Sequence, residues 1–156
     1  MKHSARLACL AFASLAFAAH AAETASATVT IASGPNAGTH KTSVESAGCS
    51  TGLTGNNSFG VQISSPKDKD PKKLNSVQLD VPDKSKANVF TMTVGFGPLI
   101  GRTASYTIDT RGKKGNGSLA LADNGNTANA KISGTTADGV KLEVAIECKS
   151  VMRMGK

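Results

Sequence analysis

The sequence predicts an all-β domain, a two-layer antiparallel β-sandwich of about nine short strands with one disulfide and at least one Greek-key-type crossover. Three observations carry this. Val140, Leu142, Val144, Ile146 and Cys148 alternate with Lys141, Glu143, Ala145, Glu147 and Lys149; a side-chain period of two puts one set in a core and the other in water. Similar runs, each apolar on one face only, recur along the chain between Gly, Pro, Asn and Asp, as turns between antiparallel strands require. Finally, one cysteine lies in line with a buried strand face, so a partner cysteine must be brought to it.

The chain opens with a segment that is not part of the domain. Lys2 and Arg6 precede the apolar run from Leu7 to Ala18, and Ala19-His20-Ala21 places small residues at a cleavage site. Residues 1–21 therefore read as a signal peptide and 22–156 as one secreted β-sandwich domain, periplasmic or extracellular. The apolar run is too short to span a bilayer, and no second one follows, so the protein is not expected to be membrane-spanning. Without residues 1–21 the chain keeps sixteen Lys and Arg against eleven Asp and Glu, a net charge of +5. His40, Cys49 and Cys148 are the histidine and cysteines that remain. An even pair of cysteines in a secreted domain reads as a disulfide, Cys49 to Cys148.

In order, strands are expected over 27–31, more weakly over 38–45, then over 59–63, 77–81, 90–96, 104–108, 119–121, 128–132 and 140–148. Their inward sets include Val29 and Ile31, Phe59 and Ile63, Phe90 and Phe96, and Tyr106 and Ile108. Residues 47–57, with three glycines and two asparagines, read as a flexible connection. A closed barrel has the same alternation and is the competing architecture. At most one helical turn is expected, near 82–87. Strict up-and-down order would leave the two cysteines at opposite rims, yet disulfide-bonded Cα atoms lie within about 7 Å. Some connection must therefore cross between sheets, and 47–57 is the expected place.

Chemistry is sparse. His40 sits between Thr39, Lys41 and Thr42, which look solvent-facing, and nothing fixes a Ser-His-Asp trio around it. No C-x-x-C is present, and one histidine without a free cysteine leaves zinc or copper short of ligands. No cofactor is expected. Asp123-Asn124-Gly125-Asn126 offers oxygen atoms but lacks the spaced acids of a calcium loop, and reads as a hairpin turn.

Charge and exposure say more. Ser65–Lys73 is a charged loop with its own aspartates, Asp83–Lys86 is a second, and Arg111–Lys114 is a third without an acid. They read first as solvated turns. The functional expectation is a cationic rim of Lys84, Lys86, Arg111, Lys113 and Lys114 at one end of the sandwich, meeting an anionic cell-envelope polymer such as lipopolysaccharide or teichoic acid. Nucleic acid is disfavoured, because one Tyr and no Trp leave no stacking aromatics. Phe96–Gly101 holds Leu99 and Ile100 between turn residues; it either plugs the sandwich end or, with Arg102 at its rim, exposes an anchor for a protein partner.

The succession 117–122, 129–134, Ala137-Asp138-Gly139-Val140 and Cys148 resembles small secreted bacterial β-sandwich proteins, among them mycobacterial surface lipoprotein antigens. Their lipid-bearing cysteine has no counterpart in this chain. Together these features point to a monomeric binding module with no catalytic role. The competing expectation is a small secreted hydrolase or enzyme-inhibitor protein.

Overall fold

A computed structural model describes residues 22–65 and 69–154. The expected signal peptide and three residues of the first charged loop, Pro66 to Asp68, lie outside the described residues. Two sheets pack face to face. The first has strand order β2-β1-β10-β9-β8, the second β11-β3-β4-β5-β6-β7. In chain order the strands are β1 (Ala25–Ile31), β2 (Gly38–Val44), β3 (Cys49–Thr51), β4 (Phe59–Ser64), β5 (Leu74–Val81), β6 (Thr91–Phe96), β7 (Ala104–Asp109), β8 (Asn116–Asp123), β9 (Ala128–Thr135), β10 (Lys141–Cys148) and β11 (Val151–Arg153). The all-β sandwich is therefore observed, with eleven strands rather than nine.

The two extra strands, β3 and β11, are three residues each and pair in parallel, Val151 with Cys49 and Arg153 with Thr51. Neither has a local alternation long enough to be legible. Part of the segment expected to be a flexible connection is thus a strand, held by β4 on one side and β11 on the other. The expected helical turn is a single 3-10 turn, Lys84–Lys86, capped by the Asp83 carboxylate, which accepts from the Ser85 amide at 3.0 Å.

Alternation explains the longer strands. In β10 Leu142, Val144, Ile146 and Cys148 are buried while Lys141, Glu143, Ala145 and Glu147 are exposed. In β6 and β7 the inward residues Met92, Val94, Phe96 and Ile108 are fully buried, and Phe90 just before β6 is too. Leu119 and Leu121 of β8, expected inside, are only partly buried, because β8 is an edge strand with one neighbour. β5 begins three residues earlier than its apolar run. Asn75 is buried there, donating to the Gly97 carbonyl at 2.8 Å and accepting from the Ser65 amide at 3.0 Å.

The strands of one sheet run steeply across those of the other. β8 starts beside β7, where Asp109 and Lys114 form a bridge. It ends at Asp123, which is bonded to Arg153 of β11 on the opposite edge of the second sheet. A strand joining two edges of a sheet crosses its strands, as in orthogonally packed sandwiches. β2 does the same at the other end, touching β4 and β5 and placing His40 against Phe96 of β6. The chain changes sheet at 45–48, 110–115 and 149–150. The first of these lies at the head of the segment expected to cross. The last is what brings the cysteines together: Cys148 ends β10, and after two intervening residues β11 starts opposite Cys49. The disulfide joins them with Cα atoms 6.1 Å apart and a sequence separation of 99. Among the described residues no ladder joins an edge of one sheet to an edge of the other, so the barrel is not closed.

Candidate functional site

Both regions singled out in the sequence lie at ends of the second sheet. Loops 52–58, 82–90 and 110–115 share one end, because β3, β5 and β7 finish there. Loops 65–73 and 97–103 share the other.

At the first end the structure places loops 82–87 and 111–116 together: Asp80, Thr91 and Asp109 are cross-strand neighbours. The five expected cations are not equivalent. Lys84 Nζ donates to Asp123 at 2.7 Å and to the Thr51 hydroxyl at 3.2 Å. Arg111 pairs with Asp80 at 2.9 Å. Lys86, Lys113 and Lys114 are exposed. Four carboxylates stand among them: Asp83 and Asp109, as expected, and Asp80 and Asp123, which only the packing of strands brings in. The Ser85 hydroxyl and amide, Asn57 and the charge of Lys86 together hold Asp83 below the usual carboxylate range, against the effect of burial. Asp109 is held low chiefly by the Gly112 amide, with Thr91 and Arg111 adding to it. For Asp123 burial is the largest influence and works upward, but hydrogen bonds from Arg153 and Lys84 together outweigh it and leave the group lowered. Thus the rim is a network of paired charges around three exposed lysines.

The second end is organised differently. Gly97 and Gly101 have φ of 79° and 81°, a region open to glycine without steric cost, and between them the chain turns out Pro98, Leu99 and Ile100. Ile100 is 93% exposed and Leu99 37%. The loop does not plug the sandwich, contrary to the first of its two expected readings. The plug is unnecessary, since Phe96 and Tyr106 already pack edge-on there, with centroids 6.0 Å apart. Exposure in this loop is built, not frayed. The Gly97 amide donates to the Lys73 carbonyl at 3.0 Å, Thr103 donates its hydroxyl to the Pro71 carbonyl, and Asn75 holds Gly97 from below. Arg102 runs back over β6, where a Cβ on Gly95 would come within 3.3 Å of its Cδ.

A third feature escaped the sequence. A groove of about 410 Å³ lies on the outer face of the second sheet. Gly60, Gln62, Gln78 and Thr93 form its floor, and Leu53 and Met152 its walls. Leu53 is 63% exposed and Met152 47%. The signal for Met152 was weak, because a three-residue strand shows no period.

His40 differs from its exposed neighbours Thr39 and Lys41. It is half-buried, its ring edge-on to Phe96 with centroids 4.8 Å apart, and Nε2 lies 2.9 Å from the Asn36 carbonyl. Asp123–Asn126 leads into a hairpin turn, with the Asn124 amide donating to Thr127 at 2.9 Å. Among the described residues no group of three or more His, Cys, Asp or Glu is placed to hold a metal ion, and no helix is long and apolar enough to cross a membrane. No protein-family model matches the chain, and no characterised protein or solved structure matches it at a significant level.

Proposed function

We propose that the protein is a secreted or periplasmic binding module, monomeric and without a catalytic role, that engages its partner through the β6–β7 loop. Leu99 and Ile100 are the anchor and Arg102 the rim. The observation that carries this reading is the 93% exposure of Ile100 on a loop tied down at both shoulders. Leu99 and Ile100 are contiguous, and an exposed apolar patch of this kind supports the reading of a contact site. The competing enzyme reading has less support, because the ring of His40 is already engaged by Phe96 and the Asn36 carbonyl. In the compartment proposed, residues 1–21 are removed on export, which suits a domain that closes a disulfide.

A second reading has its own observation. Lys86, Lys113 and Lys114 are exposed at one end, and an anionic envelope polymer would meet them there, with Lys84 and Arg111 held in place by their carboxylates.

Photocrosslinking separates the two. A benzophenone side chain is placed at position 100, at position 113, or at position 120 on the exposed face of β8, in cells that make the protein. The tip reading expects adducts from position 100 alone, whether the trapped molecule is polypeptide or lipid. Adducts from position 113 alone would transfer the role to the lysine rim. Equal yields from positions 100 and 120 would remove the tip as a contact site.

A further inference from the structure

The β6–β7 tip has neighbours that specify its partner. Both shoulders of the tip are bonded to the loop before β5, through Gly97 to Lys73 and through Thr103 to Pro71. Lys72 lies between those two attachment points. Lys69, Lys72, Lys73 and Arg102 are all exposed. The described part of that loop has one carboxylate, Asp70, which accepts from the Lys72 amide at 2.9 Å. Among the described residues, three exposed lysines and Asp70 thus stand beside two exposed aliphatic side chains, while Arg102 lies back over β6. The tip is convex: nothing lies within 4 Å of a Cβ placed on Gly101.

We infer that the partner is an anionic phospholipid surface, on which the protein docks reversibly with Leu99 and Ile100 in the acyl boundary and the lysines at the headgroups. This rests on the reading of the tip as a contact site and says what it contacts. A protein partner would need a pocket shaped to a protruding pair, whereas a bilayer accepts any convex apolar tip. Two aliphatic side chains give only weak attachment alone, as even a single acyl chain does; stable binding takes a second signal, which cations near an anionic surface supply. Long basic side chains suit that position because their stems can lie along apolar surface while the charge stays in water. The Asn75 bridge matters as well. A tip already ordered in solution loses little conformational freedom on docking.

The test is co-flotation of the purified protein with vesicles of phosphatidylglycerol and phosphatidylcholine in equal parts, or of phosphatidylcholine alone. The native protein should float with the anionic vesicles and not with the zwitterionic ones. Leu99→Ser with Ile100→Ser should lose that binding while keeping its circular dichroism, since neither side chain belongs to the core. Lys72→Ser should weaken it about 5-fold, the weight of one cation close to an anionic surface. Lys113→Ser with Lys114→Ser, at the opposite end, should leave it unchanged. Binding that survives in the tip variant, or that the opposite-end variant loses, would overturn the inference. Failure to float, with a polypeptide trapped from position 100, would reject the lipid and keep the contact site. Failure to float, with nothing trapped there, would reject both.

Discussion

Asp123 is the residue with most structural consequence outside the core. Its carboxylate joins the end of β8 to Lys84 beyond β5 and to Arg153 of β11, so one side chain spans both sheets. Its own exposure is 14% and that of Lys84 23%, which limits solvent screening. Asp123→Asn should therefore cost about 1.5–3 kcal/mol at neutral pH, the range for hydrogen bonds to charged groups. The sign with pH follows from its lowered pKa. A carboxylate held below its unfolded value, about 3.9 for aspartate, contributes stability that is fully present above that value and is lost as pH falls through the folded one. The gap between native protein and variant, measured by urea unfolding, should thus be full at pH 7 and smaller at a pH well below about 3.9. A gap of equal size at both would mean that the loss comes from packing rather than charge.

Among the elements, the β8–β9 hairpin depends most on the absence of side chains. Gly117 and Gly134 face each other across the ladder. A Cβ on Gly134 would sit 2.4 Å from the Asn116 carbonyl oxygen and 2.8 Å from both Gly117 Cα and Ile108 Cδ1. Two of these three are backbone, which cannot rotate away. Gly134→Ala should therefore destabilise by about 1–3 kcal/mol, the usual range for overpacking. Gly55→Ala is the control: nothing lies within 4 Å of its Cβ, so it should stay within about 0.5 kcal/mol. If thermal unfolding did not distinguish the two, the close approach of β8 and β9 would be wrong. The glycine pair was visible in the sequence as part of a glycine-rich pattern. That its members meet was not, because register is a property of two strands.

For the whole molecule the closing device is the link between Cys49 and Cys148. The chain-entropy account of a loop this long gives about 4–5 kcal/mol, reduced by any residual structure in the unfolded chain. Replacing both cysteines by Ser should lower the stability by that order, and the melting temperature by roughly 10–20 °C, while β-type circular dichroism persists. Persistence is expected because the core runs through both sheets, from Val29 and Val144 in one to Phe59, Val77, Met92 and Ile108 in the other. Collapse of the variant to an unfolded chain would show that the two sheets do not hold together without the bridge.

Strand identity was determined locally, because it depends on the side-chain period and on turn residues: β10, β6 and β1 are read directly from their alternation. The disulfide was legible too, by counting cysteines beyond residue 21 and noting that Cys148 shares the buried face. Pairing lay beyond the sequence. β3 and β11 exist because each is the other's neighbour, and three residues have no period to detect. Likewise Lys84 and Arg111 read as free cations until the packing of the sheets brought Asp123 to Lys84 and the pairing of β5, β6 and β7 brought Asp80 to Arg111. As letters in a loop, Leu99 and Ile100 suited a plug first and an anchor second. The packing of Phe96 and Tyr106 beneath them removed the plug, because a filled sandwich end leaves no room for one.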